Sequence, residues 1–153
     1  MLNAGDLPVR DRTITPALMV RAGLCLSIVV CGLALRGFGF GLGLPSVFVK
    51  YGGSLLWGAM VFFLAAMAAP RLPRWAIVLI SAAIAIGVEL FRLVHAPWLD
   101  AFRLTLAGAL LLGRIFSAWN LLAYGAGIVL AGLLDGWAIR AFARATRDAR
   151  TEG

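Results

Sequence analysis

The chain has 153 residues, of which 62 % are apolar and 14 % charged, against about 45–50 % and about 25 % in soluble domains. A soluble fold of this size has too little interior to hide that much apolar surface, whereas a bilayer serves as its solvent. The net charge of +7 does not point to nucleic acid, because the basic residues are spread between apolar spans with no basic face. They read as topology signals and membrane anchors.

The first twelve residues, MLNAGDLPVRDR, read as a short loose tail. The apolar run that follows has no A-x-A cleavage pattern and is succeeded by further spans, so it reads as a retained helix and not a signal peptide. Span one is expected over 17–35, with Thr15 and Pro16 as cap and first-turn residue. Arg21 falls inside it, near the start, where a long side chain can snorkel to the headgroups. Cys25 and Cys31 are six residues apart, about 240° around a helix, so they face different ways and neither chelate one metal nor bridge. Both read as small hydrophobes.

The glycine-rich stretch 36–50, RGFGFGLGLPSVFVK, is a connection. Span two, 51–70, is free of charge over twenty positions, the length that crosses a ~30 Å hydrocarbon core. Pro70 and the RLPR segment form a tight basic turn, and span three follows over 75–95. Span four, 115–134, is again free of charge, and the basic tail 138–153 continues from it. Between spans three and four, LDAFRLTLAGALLLG (99–113) is too short in its apolar part to cross. It reads as a short interfacial or re-entrant helix with Asp100 as cap and Arg103 one turn on. The expectation is an all-α integral membrane protein of four transmembrane helices, one domain over 1–153.

Four spans put both termini on one side. The tails, Arg21 and the RLPR turn carry Arg10, Arg12, Arg21, Arg71, Arg74, Arg140, Arg144, Arg147 and Arg150, against Arg36, Lys50, Arg92, Arg103 and Arg114 on the other side. The bias predicts cytoplasmic termini in a plasma membrane. Trp75 and Trp137 then fall near the inner boundary, Trp98 and Trp119 near the outer one, as aromatic belts favour. Small residues at four-residue spacing, Ala123, Gly127 and Ala131 on span four with Ala83 and Gly87 on span three, predict that these two spans are neighbours. A homo-oligomer is compatible with this surface.

The charges of the greasy chain gather in VELFRLVHAPWLDAFR (88–103). Glu89 lies inside span three, where an ionised carboxylate costs a few kcal/mol unless it is paired or lines a wet cavity. Arg92 is one turn away, and Arg103 and Arg114 can reach back. With Asp100, Asn120 and Tyr124 these residues form a candidate ligand-binding set: an outward-facing polar pocket for a lipid headgroup or another small anionic or zwitterionic envelope ligand. The bland alternative is a structural lock that ties the re-entrant segment to the bundle. No motif of a nucleophile, metal site or phosphate loop surrounds these residues. No catalytic residue, metal or cofactor is therefore assigned. A membrane enzyme acting on an envelope lipid or glycolipid, with Ser117 and His95 at hand, is the rival from another class. A small transporter or channel subunit is the second, and needs a polar path across spans two and four.

FVKYGGSLLWGAMVFF (48–63) followed by ELFRLVHAPWLDAFRLTLAGALLLGRIFSAWNLLAYGAG (89–127) resembles a domain-of-unknown-function family of small bacterial integral membrane proteins. That family's pattern has an aromatic-x-G-D-x-L-W entry to the second span, an E-L-x-Q on the third, an L-D-x-x-R segment and an L-G-x-x-F-x-W-x-D-L-L-A-Y-x-x-G run into the fourth. The layout is also distantly similar to VanZ-like proteins, which are associated with glycopeptide resistance at the cell envelope. The matched positions are Glu89, Asp100, Arg103, Gly113, Tyr124 and Gly127. The chain departs at Ser54 for the aspartate of G-D, Arg92 for the glutamine of E-L-x-Q and Asn120 for the aspartate before L-L-A-Y. The resemblance implies a bacterial inner-membrane location and a more positive local field than the family pattern, and supplies no reaction.

Overall fold

A computed structural model describes the backbone of residues 9–105, 108 and 117–151, and the side chains of 15–105, 108 and 117–145. Among the described residues the fold is all-helical. The helices are α1 (Val9–Phe38), α2 (Ser46–Ala68), α3 (Arg74–Phe91), α4 (Pro97–Leu104) and α5 (Ala118–Thr151). Four of them are long and apolar enough to cross a membrane, over Thr15–Phe38, Ser46–Ala68, Arg74–Phe91 and Ala118–Ala145. The four expected spans are all present.

Their ends are set by local chemistry. Span one starts earlier than the Thr15–Pro16 cap expected for it: α1 begins at Val9 and carries Pro16 inside. A proline there removes one backbone donor near the helix start, where the helix still propagates on both sides. At the other end Gly39 donates to the Leu35 carbonyl and Leu44 to that of Gly39. Gly43 takes φ +75°, a conformation that costs a side-chain-bearing residue and lets the chain reverse. Pro45 then leads directly into α2. α2 stops before Pro70, since the residue ahead of a proline is pushed out of the helical region, and Ala69 sits at φ −129°, ψ 63°. The same rule separates α3 from α4: Ala96 is extended at φ −145°, ψ 143°, and Pro97 opens the short helix. Asp100 is therefore not the cap. It lies in the first turn of α4, with its backbone N–H on the Ala96 carbonyl. The rest of the expected re-entrant segment, including Arg114 and Gly113, lies outside the described residues.

α2 is the central helix and packs against α1, α3 and α5, most extensively against α5. Its buried residues, Gly58, Ala59, Val61, Phe62, Phe63 and Ala66, cover about 200° of the helix, a wide face that meets three neighbours. Phe62 and Phe63 are fully buried with rings in an edge contact at 5.4 Å, joined by Ile77, Tyr124 and Ile128. α3 buries a single stripe at four-residue spacing, Ile77, Ser81, Ala85 and Glu89, and leaves Leu79, Ile80, Ile84 and Ile86 exposed. In a bilayer those side chains face lipid.

Spans three and four are neighbours, as their small residues predict, but the row on α5 makes its tightest approach to α2. A Cβ on Gly127 would overlap the Leu55 carbonyl, and one on Gly58 would press on the Tyr124 backbone. The row on α5 thus seats α2, not α3. Ala83 and Gly87 lie on the exposed side of α3, and Gly87 has nothing within 4 Å of the Cβ position. Small-residue spacing reports that backbones approach closely; it does not name the partner.

Successive helices run antiparallel, so Arg21, Ala66, Arg74 and Asp135 gather at one end and Ser54, Glu89 and Asn120 at the other. Fifteen residues separate Asn120 from Asp135, a rise of about 22 Å. Trp75 and Trp137 at the first end, and Trp98 and Trp119 at the second, are all about two-thirds exposed, as membrane-boundary tryptophans would be.

Candidate functional site

The Glu89 carboxylate is the hub of the candidate site. It lies in the last turn of α3 and is fully buried. The Ser117 backbone N–H donates to Oε1 at 2.7 Å, and the Asn120 amide donates to the same oxygen at 3.3 Å. Oε2 meets Arg92 Nη1 at 2.6 Å. The pairing follows from the chain itself: Arg92 is the C-cap of α3, three residues on and one turn away. Arg92 also donates from Nη2 to the Tyr124 hydroxyl at 2.8 Å. Tyr124 is held in turn by Trp57, with ring centroids 4.9 Å apart. The Ser54 hydroxyl has its one proton within reach of both the Lys50 carbonyl at 3.2 Å and Asn120 Oδ1 at 3.3 Å, and the Glu89 carboxylate, which can only accept when ionised, sets the amide with its nitrogen toward it. Three helices thus contribute to one buried polar cluster.

Arg103 forms a second layer against this cluster. From α4 it donates Nη2 to the Phe91 carbonyl at 2.7 Å and Nη1 to the Val94 carbonyl at 2.8 Å. These carbonyls belong to the end of α3, where helix geometry leaves acceptors without intrahelical partners. Nη1 is shared with Asp100 Oδ1 at 3.1 Å, and the guanidinium lies over the Phe91 ring at 5.6 Å. Asp100 is about half exposed and has His95 at 3.5 Å. Arg103 itself is only 2 % exposed. Its Nε is buried, and among the described residues no group accepts from it.

Of the predicted set, the structure unites Glu89, Arg92, Asn120 and Tyr124 and lays Arg103 and Asp100 beside them. Arg103 does not neutralise Glu89, as reaching back from the hairpin would have required; its fork is taken up by main-chain carbonyls, and Arg92 from the same helix does the pairing. Ser54 and the Ser117 N–H were missed. Ser54 stands where the resembling family pattern has an acid, which was a usable signal. A main-chain donor has no sequence signature.

A second buried charge cluster at the opposite end was missed entirely. Arg21 does not snorkel. It is 8 % exposed and grips the fully buried Asp135 through Nε to Oδ1 at 2.8 Å and Nη2 to Oδ2 at 3.1 Å. Its Nη1 donates to the Ala66 carbonyl at 2.9 Å, and Arg74 approaches Asp135 Oδ2 at 3.5 Å. The signal was present: an arginine inside an apolar span needs a counter-charge at its own depth, and Asp135 follows span four directly.

Chemically, the groups on the Glu89 carboxylate are a guanidinium, an amide and a backbone N–H. These hold a charge in place. The Arg103 Nε–H is a donor held rigidly beside them.

A family model described as a protein of unknown function (DUF2809) matches residues 43–128. That range contains the whole Glu89 cluster and neither Arg21 nor Asp135. No solved structure matches the chain.

Proposed function

The chain belongs to the DUF2809 family of proteins of unknown function, and we propose that it is a non-enzymatic, multi-pass protein of the bacterial inner membrane. Its Glu89 end faces away from the cytoplasm and binds the headgroup of an envelope lipid or a comparably small envelope ligand. The observation that carries the ligand is Arg103. A buried donor without an acceptor costs about 1–3 kcal/mol. Two arms of the same guanidinium are fixed on the Phe91 and Val94 carbonyls, so the Nε–H is pre-oriented for a phosphate or carboxylate oxygen. The distant likeness to VanZ-like proteins is compatible with an envelope setting.

Orientation is supported by removing the buried arginines from the charge count. Arg21, Arg92 and Arg103 are committed to the interior and are poor topology signals. What remains is Arg36, Lys50 and Arg114 on the Glu89 side, against Arg10, Arg12, Arg71, Arg74, Arg140, Arg144, Arg147 and Arg150 on the other. The bias toward cytoplasmic termini is steeper than in the raw count.

A second reading has its own observation. The Arg103 bonds to the end of α3 are those of a structural clamp. Arg103→Lys separates the two, since lysine keeps the charge and loses both the fork and the Nε–H. For a ligand site, phosphatidylethanolamine retention by the purified full chain, read by native mass spectrometry, falls about tenfold or more with little change in Tm. A clamp gives a large Tm loss and unchanged retention, which would refute the ligand site. Orientation is read independently: in a Cys25→Ala/Cys31→Ala background, a cysteine at Trp98 is labelled by an impermeant reagent from outside intact cells. Protection there, with labelling at the C-terminus, would invert the topology.

A further inference from the structure

A groove of about 280 Å³ runs between α3 and α5 at the Asp135 end, lined by Arg74, Trp75, Val78, Val129, Gly132, Leu133, Gly136 and Arg140. We propose that it holds an anionic phospholipid, with the phosphate at Arg74 and Arg140 and an acyl chain along the apolar trough. The inference is independent of the ligand reading at the Glu89 end and of the orientation of the chain.

The groove has the geometry of one leaflet. Val129 to Arg140 is eleven residues of α5, about 16 Å, or about half of a ~30 Å hydrocarbon core. Away from the arginines its lining is apolar, with Val78, Val129, Gly132 and Leu133. Its outer end carries the two arginines and Trp75, which is 67 % exposed and amphipathic in the way boundary tryptophans are.

The charge at that end is unbalanced. Asp135 is the one acid there whose side chain is described, and Arg21 already occupies both of its oxygens. Arg74, at 3.5 Å from the same carboxylate, is therefore a surplus cation with its side chain about half exposed. Arg140 adds another. It donates Nε to the Gly136 carbonyl at 2.8 Å, and among the described residues nothing accepts from its Nη atoms. Both guanidinia lie against Gly136: a Cβ there would fall 2.9–3.1 Å from the Arg74 guanidinium, so the missing side chain is what lets Arg74 settle on the α5 backbone. Two fork donors beside one glycine, at the mouth of an apolar trough, match a phosphodiester attached to acyl chains. A free phosphate would have no use for Val78, Val129 and Leu133.

The test uses the full chain in neutral detergent, with lipid binding read by native mass spectrometry. At about fivefold per arginine, dioleoyl-phosphatidylglycerol should bind on the order of 25-fold tighter than dioleoyl-phosphatidylcholine. Arg140→Gln leaves the Asp135 pairing intact and should weaken phosphatidylglycerol about fivefold, with Arg140→Lys restoring most of it. Gly132→Leu should fill the trough and abolish the preference. The position tolerates a Cβ, whose nearest neighbours would stand at 3.5–3.8 Å, and a thermal melt checks the fold. Inorganic phosphate at equal concentration should not displace the lipid. Equal binding of the two lipids, displacement by phosphate, or unchanged phosphatidylglycerol affinity in Arg140→Gln would overturn the proposal. Arg103→Lys should leave this binding unaltered, so failure here and failure at the Glu89 end are distinguishable.

Discussion

The two ends of the bundle each bury one carboxylate completely, yet hold it in different ways. Asp135 is gripped by Arg21 from a helix 114 positions away in sequence, through two parallel hydrogen bonds, with a third arm of the same guanidinium on the Ala66 carbonyl. Glu89 is paired with Arg92 from its own helix and is finished by an amide and a main-chain N–H. The Asp135 pair therefore bolts the first long helix to the last, which otherwise share little contact. The Glu89 cluster organises the end of α3 and the start of α5, where the chain passes through α4. The contrast is one of reach: a long-range pair fixes assembly, whereas a local pair with a neutral surround fixes the joint between α3 and the start of α5.

Asp135→Ala should show the largest effect. It leaves Arg21 buried and without its counter-charge, and breaking one partner of a buried pair costs about 3–5 kcal/mol. The expected result is a collapse of Tm in detergent and loss of the α1–α5 association in cross-linking. Arg21→Met combined with Asp135→Leu should recover most of the stability, because a buried pair exchanged for apolar groups of similar volume is often neutral. A double variant as unstable as Asp135→Ala would show that shape at this site, and not charge, holds α1 to α5.

Much of this was legible in the sequence, for physical reasons that also explain the failures. Charge-free runs of twenty residues found spans two and four, because bilayer thickness sets their length. Their boundaries shifted, because a helix continues past its apolar run: α5 reaches Thr151, well into the basic tail. Glu89 with Arg92 was legible through helical spacing, and Asn120 and Tyr124 through their depth on span four. Arg21 with Asp135 was not found, although both residues were in view. A window that scores apolarity ends at Leu134 and the basic tail starts at 138, so Asp135 fell between the two, and Arg21 was given the solution open to a lone arginine near a membrane boundary. The small-residue rows predict that spans three and four are neighbours, and they are, but the tightest approach at Gly127 is to α2. Close approach depends on the residues of one helix, whereas the identity of the neighbour depends on the whole bundle.

Glu89→Gln should cost less than Asp135→Ala, and by a margin that measures the contrast between the ends. The glutamine oxygen still accepts from the Ser117 N–H and the Asn120 amide, so two of the three contacts survive. Arg92 loses its counter-charge, but it keeps the Tyr124 hydroxyl. A loss of about 1–3 kcal/mol is expected from the Tm in detergent. A loss equal to that of Asp135→Ala would make the two ends energetically alike and remove the distinction between a long-range bolt and a local joint.

Tyr124→Phe is the finest probe. The ring stays against Trp57 at the same volume, and only the hydroxyl that accepts from Arg92 Nη2 is removed. Side-chain hydrogen bonds inside membrane bundles average about 0.6 kcal/mol and reach about 1.7, so the Tm should fall by a small but measurable step. The informative comparison is with the Glu89→Gln/Tyr124→Phe double variant. If Arg92 couples the two groups, its guanidinium is already displaced once Glu89 is neutral, and the second substitution adds less than it does alone. Strict additivity would mean that Tyr124 and Glu89 hold Arg92 independently, and the buried cluster would be a set of separate contacts without the cooperative arrangement that distinguishes this end.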